Sequence, residues 1–124
     1  MLNFNSILVF SENPKNLADF YGKVFQKDPD WDGEDYYGFM VGNSMLNIGP
    51  HDKVHGPNSN PERIMFNFET EDVKEEFERI EKLGAKVIAK PYQMGEDDMW
   101  IATFADIDGN YFQLMTPMTE EMKN

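Results

Sequence analysis

The sequence predicts an α+β fold of two βαβββ modules, forming a curved mixed sheet that encloses a cleft and carries its helices on the outer face. Three observations lead there. A strand, a helix and then several strands occur twice in that order, at an offset of about 60 residues, the scale on which internal repeats are sought. Each repeat holds one amphipathic helix, enough to cover one face of a sheet and leave the other for another use. Finally, Ala105-Asp106-Ile107-Asp108-Gly109-Asn110-Tyr111-Phe112-Gln113-Leu114 reads as a tight turn between strands rich in aromatic and branched residues, with Gly109 free to take a positive φ.

The first module spans about residues 1–50. Residues 3–10 alternate as a strand, with Ser6, Leu8 and Phe10 on one face and Asn5, Ile7 and Val9 on the other. Asn13-Pro14 reads as an N-cap followed by proline at the first helical position. Leu17, Phe20, Tyr21 and Val24 then mark one apolar stripe at i, i+3, i+4 and i+7. The acidic run Asp28-Pro29-Asp30-Trp31-Asp32-Gly33 closes the helical region, and residues 36–41 and 44–48 form a hairpin about Gly42-Asn43.

A linker of about residues 51–62, rich in Pro, Asn, His and Gly, leads to the second module at about residues 63–117, followed by a tail over 118–124. Residues 63–68 form a strand with Ile64, Phe66 and Phe68 on one face and Met65 and Asn67 on the other. Thr70 is the expected N-cap, Val73, Phe77 and Ile80 the buried stripe, and Gly84 the C-terminal stop. Strands over 86–90, 100–105 and 111–116 complete the set. On the last, Phe112 and Leu114 face one way and Tyr111, Gln113 and Met115 the other.

Composition narrows the function. At 124 residues the chain is expected to be a single domain, and ten Phe, five Tyr and two Trp argue for a packed core over disorder. Without cysteine there is no disulfide, thiolate nucleophile or Cys-based metal site. A net charge of −12 repels phosphate backbones and anionic lipid surfaces, so neither nucleic acid nor membrane is an expected partner. With no apolar run long enough to span a bilayer and no basic, signal-like start, the expected compartment is the cytoplasm.

Three segments then carry a resemblance over nearly the whole chain: Val9-Phe10-Ser11-Glu12-Asn13-Pro14 leading to Leu17-Ala18-Asp19-Phe20-Tyr21; Phe68-Glu69-Thr70-Glu71-Asp72-Val73; and Asp106-Ile107-Asp108-Gly109-Asn110. In this order and spacing the chain resembles the vicinal oxygen chelate superfamily of glyoxalase I, fosfomycin- and bleomycin-resistance proteins and extradiol dioxygenases. The resemblance implies metal ligands, usually His, Glu or Gln, at inward strand positions that here hold Asn5, Asn47, Met65 and Gln113. Only Gln113 belongs to that ligand set. Amides and a thioether supply neither negative charge nor a strong nitrogen donor for a transition metal. The expectation is therefore a cleft with no metal and no cofactor, lined by Asn5, Asn47, Met65, Asn67, Trp100, Tyr111, Gln113 and the rim residue His51.

The remaining candidates are weaker. His51 and His55 stand four apart, but Pro50, Gly56 and Pro57 argue against the helix that would align them. Glu96-Asp97-Asp98 reads as a solvated turn, as do Asp32, Glu34 and Asp35, while Trp31, Tyr36 and Trp100 could stack on a ligand or fill a core. No Ser-His-Asp order, phosphate-binding loop or inward carboxylate stands out. The reading is a homodimer that binds a small molecule by sequestration or carriage, with the bleomycin-resistance proteins as the family's pattern. The alternatives are a metal-dependent glyoxalase-like lyase or transferase, and a non-catalytic subunit that acts by association.

Overall fold

Each half of the chain runs β-α-β-β-β around a four-stranded mixed sheet of its own. The computed structural model describes residues 1–95 and 98–118, and the chain separates into two compact units, Met1–Pro57 and Asn58–Asn124. Both are α+β and both sheets are open, with one helix packed on one face. The acidic stretch at 96–98 falls mostly outside the described residues, as does nearly all of the 118–124 tail.

The first unit holds β1 (Ser6–Phe10), α1 (Pro14–Phe25), β2 (Trp31–Gly33), β3 (Tyr36–Val41) and β4 (Ser44–Gly49), in sheet order β1-β4-β3-β2. β1 runs parallel to β4, and the other pairs are antiparallel. Pro14 opens α1 as expected, but Asn13 makes no side-chain cap; instead its N–H donates to the Ser11 hydroxyl, 3.0 Å away. Gln26 ends the helix in the left-handed region at φ 59°. Leu17, Ala18, Tyr21 and Val24 are buried, while Phe20 is only half-buried at the edge of the stripe. The helix meets β3 and β4, whose Phe39, Leu46 and Ile48 are almost fully buried.

Two departures concern strands. β1 begins at Ser6, three residues later than its alternation suggested. The acidic run after α1 contains β2, which pairs Trp31 with Gly38 and Gly33 with Tyr36. Its turn is Glu34-Asp35, both at positive φ (52° and 69°), the geometry of a primed two-residue hairpin turn. Such turns are normally signalled by Asn or Gly, and neither is present.

The second unit holds β5 (Phe66–Glu69), α2 (Val73–Lys82), β6 (Lys86–Gln93), β7 (Trp100–Ala105) and β8 (Tyr111–Met115), in order β5-β8-β7-β6. Asp72, not Thr70, caps α2: its carboxylate accepts from the Glu75 N–H at 3.0 Å, while Thr70 accepts from the Asp72 N–H. Val73, Phe77 and Ile80 form the buried stripe, and Phe77, Phe104 and Phe112 stack in sequence with centroids 5.0 and 5.6 Å apart. β6 runs on past residue 90 because it is an edge strand with irregular register around Pro91, where a missing N–H is tolerated. The β7–β8 turn is tied by Asp106, 5% exposed, whose carboxylate accepts from the Asp108 and Asn110 N–H groups and the Asn110 amide.

Candidate functional site

Helix α1 covers one face of the first sheet, and strand alternation delivers a defined set of side chains to the other. Register aligns Leu8, Asn47, Gly38 and Trp31 in one row across all four strands, with Phe10, Gly49 and Tyr36 in the next. Leu8 and Trp31 are 47% and 44% exposed at the two ends of the first row. Between them, a β-carbon on Gly38 would stand 2.1 Å from the Trp31 indole nitrogen and 2.8 Å from Asn47 Oδ1. One on Gly49 would stand 2.2 Å from the Tyr36 ring. The two glycines therefore let two aromatic rings lie down on the sheet. Asn47 Oδ1 is buried there without a hydrogen-bond partner.

Asp30 holds this edge in place. Its N–H donates to the Gly38 carbonyl at 2.8 Å, and its carboxylate accepts from the Met40 N–H at 2.6 Å and pairs with Lys27 at 2.7 Å. The Lys27 ammonium, and then the Met40 N–H, hold the Asp30 carboxyl below its ordinary pKa. Partial burial, then Asp35, pushes the Tyr37 phenol up.

In the second unit the face away from α2 carries Asn67 and Glu69 of β5, Tyr111, Gln113 and Met115 of β8, and Ile101, Thr103 and Ala105 of β7. Gln113 Nε2 donates to the Thr103 hydroxyl at 3.0 Å, directly across the ladder. Asn67 is the ladder neighbour of Gln113 on the other side. Asn67, Tyr111 and Gln113 thus share a face as expected.

Four of the sequence-derived site residues stand elsewhere. Asn5 precedes β1, and its parity is that of Ile7 and Val9; the positions of β1 on the Asn47 face are Ser6, Leu8 and Phe10. A period-two strand turns inside out on a one-residue slip. Asn5 is exposed and accepts from its neighbour Ser6. Met65 lies before β5 and has no ladder partner. Trp100 shares its face with Ala102 and Phe104, on the α2 side, where the Lys74 ammonium sits 3.8 Å over its ring. His51 follows β4 and meets Phe10 edge-on at 4.9 Å, but its Nδ1 accepts from the Lys53 N–H at 3.1 Å.

Gly38 and Gly49, which the sequence reading passed over, were detectable as glycines inside strands, a sign of close approach. The donors on these faces do not fit a transition metal. Asn47, Asn67 and Gln113 are neutral amides, and no group of three or more His, Cys, Asp or Glu side chains stands together among the described residues. A shallow groove of about 550 Å³ runs elsewhere, along Asp19 and Lys23 of α1, its cap Gln26 and the loop to Pro29. It is open and bordered by solvated charges, so the sheet face, with its rings and orphaned amide, is the better site.

Comparison with known proteins agrees with this architecture. The family model described as the Glyoxalase/Bleomycin resistance protein/Dioxygenase superfamily matches residues 3–114. A search of curated proteins found no match. Among solved structures, a glyoxalase/bleomycin resistance protein/dioxygenase family enzyme from Burkholderia phytofirmans PsJN aligns with TM-score 0.76 at 16% identity, covering 94% of this chain and all of the other. TioX from Micromonospora sp. ML1 aligns with TM-score 0.71 at 12% identity, over 94% and 100% of the two chains. The fosfomycin resistance protein FosX from Mesorhizobium loti gives 0.66 at 18% identity, over 100% and 98%. At these identities the likeness is one of fold.

Proposed function

Because this chain belongs to the glyoxalase/bleomycin resistance protein/dioxygenase superfamily, we propose that it works as a small-molecule-binding protein of that superfamily, holding its ligand on the open sheet face without the metal. The observation that carries the reading is the donor chemistry of the open faces. In the first unit Asn47 offers a neutral hydrogen-bonding group beside Leu8, Trp31 and Tyr36, and in the second Asn67 and Gln113 do so beside Tyr111 and Met115, each a composition suited to holding a polar organic molecule. Binding without turnover then makes the protein a sequestering agent or carrier.

We further propose that the working form is a homodimer in the cytoplasm. Apolar side chains away from that ligand face, such as Ile64 and Ile88, are exposed and would be covered in an association of two copies. No helix among the described residues is long and apolar enough to cross a membrane, and the charge of −12 disfavours binding to nucleic acid or anionic lipid.

The test is mass spectrometry of the purified protein under native conditions, with elemental analysis of the same sample. The expected result is a dimer that retains or takes up a small organic molecule and holds no stoichiometric transition metal. One tightly held metal per chain with lyase or transferase turnover would overturn the reading in favour of an enzyme. A monomer at micromolar concentration would overturn the dimer.

A further inference from the structure

The chain has nine methionines and no cysteine, and among the described residues none of the methionines belongs to the buried core, which is built from Val, Leu, Ile, Ala, Phe and Tyr. Methionine ordinarily serves as an adaptable filler of packed interiors. Here it does not, and strand register gathers three methionines at one end of the second sheet. The β6–β7 ladder runs one rung beyond its strands, where the Met94 N–H donates to the Met99 carbonyl at 2.8 Å, so these two side chains stand opposite each other. Tyr92 pairs with Ile101, and Ile101 with Met115. By alternation all three methionines therefore lie on the face away from α2, with Met115 diagonal to Met99. Diagonal neighbours on one face stand about 7–8 Å apart, within reach of long side chains. Met94 is 53% exposed, and Met99 and Met115 are half-buried.

We propose that Met94, Met99 and Met115 form a site for a soft monovalent cation, Cu(I), held by three thioether sulfurs. Thioethers are neutral and polarisable, and among biological metals they select Cu(I) over harder ions. What bars zinc and nickel from the centre of the open faces is a set of neutral amides, and that argument does not reach sulfur. The ladder fixes only the β-carbons, so three unbranched side chains can converge on an ion by rotation, with no movement of the backbone. Leucine at these positions would bury as much apolar surface and could ligate nothing. The net charge of −12 raises the concentration of any cation at the protein surface, and Glu69, the exposed ladder partner of Met115, adds a carboxylate beside the site. The three residues belong to one unit and are independent of the organic ligand proposed above. Neutral thioethers give up Cu(I) on dialysis, so protein prepared without added copper is expected to contain none.

The test uses the full-length protein under anaerobic conditions, titrated with Cu(I) as its acetonitrile complex in competition with the chelator bicinchoninate. The expected result is one Cu(I) per chain, with zinc and nickel at the same concentration failing to compete. Met94→Leu, Met99→Leu and Met115→Leu should each weaken binding about tenfold or more, while Met40→Leu, in the other unit, leaves it unchanged. Leucine is close to methionine in volume, so the variants should keep their circular dichroism and unfolding midpoint. In protein carrying carbon-13 on its methionine methyl groups, Ag(I), an air-stable ion of the same class, should shift the resonances of residues 94, 99 and 115. Each is identified by the peak missing from its leucine variant. Undiminished Cu(I) binding in the triple leucine variant would overturn the proposal, as would shifts spread evenly over all nine methyl groups or the absence of saturable binding. None of these outcomes bears on the organic-ligand reading, which stands or falls on uptake of an organic molecule.

Discussion

Trp31 and Gly38 form a cross-strand pair in which the absence of one β-carbon sets the position of the whole indole ring. A methyl group on Gly38 would meet the indole nitrogen at 2.1 Å. Gly38→Ala must therefore push Trp31 off the sheet. Because the ring stands at an exposed edge and can move, the expected cost is about 1 kcal/mol, at the low end for overpacking. Gly49→Ala should cost more, about 2–3 kcal/mol, because the Tyr36 ring lying on it is less exposed than Trp31. Chemical denaturation of the two variants checks the ranking, and equal losses would contradict it.

The aromatic stack under α2 makes a second prediction. Phe77 is buried against Phe104, which stacks in turn on Phe112. Phe77→Ala removes the first ring of the series and should destabilise the protein by about 3–5 kcal/mol. Phe20→Ala, at the half-buried edge of α1, should cost clearly less. Urea unfolding of both variants measures the difference.

Gln113 and Thr103 pair across the β7–β8 ladder at 3.0 Å, and Thr103 is 4% exposed. Thr103→Val keeps the shape and removes the hydroxyl, so the Gln113 amide loses its acceptor. The expected loss is about 1–2 kcal/mol. A neutral or stabilised Thr103→Val would mean that the pair contributes nothing.

How much of this was legible beforehand depends on which signal each element used. The helices were readable because Leu17, Tyr21 and Val24, and Val73, Phe77 and Ile80, repeat at helical spacing over about two turns. The βαβββ order of the second module, the hairpin of the first and the Asp106–Asn110 turn were readable from alternation and turn chemistry. β2 was not, because three exposed residues set among five acids carry no periodicity, and its Glu34-Asp35 turn lacks the usual residues. The site was half legible. Asn47 and Gln113 sit inside strands whose parity is fixed by buried neighbours, Leu46 and Ile48, and Phe112 and Leu114. Asn5 and Met65 sit at strand ends, where no flanking core residue pins the phase, and Trp100 follows the parity of Ala102 and Phe104 to the helix side.

The Asp30 carboxyl supplies a pH dependence. Lys27 and the Met40 N–H depress its pKa in the folded protein. A depressed carboxylate adds stability above its unfolded pKa, and that contribution is lost as pH falls through the folded value. The unfolding midpoint should therefore drop as pH is lowered through and below the ordinary carboxylate range of about 4. Asp30→Asn should flatten that part of the profile. Solvent and salt screen this exposed pair, so the slope should also shrink at high ionic strength. A profile identical in wild type and variant would remove Asp30 from the account.

Metal chemistry provides the last test, and Gln113 is its centre. Gln113 already uses its Nε2 on Thr103, so only its carbonyl oxygen could turn toward an ion, and a neutral amide oxygen binds transition metals poorly. The neighbours on its face, Asn67 and Tyr111, add another amide and a phenol. After expression in zinc- or nickel-supplemented medium and dialysis, elemental analysis should find well under one metal per chain, and Gln113→Ala should change neither this content nor the stability response to added metal. Weak calcium or magnesium uptake by the acidic surface is compatible with this, because it would be lost on dialysis and indifferent to Gln113. Retention of about one zinc or nickel per chain in the wild type, abolished in Gln113→Ala, would show that Gln113 turns away from Thr103 to complete a metal site.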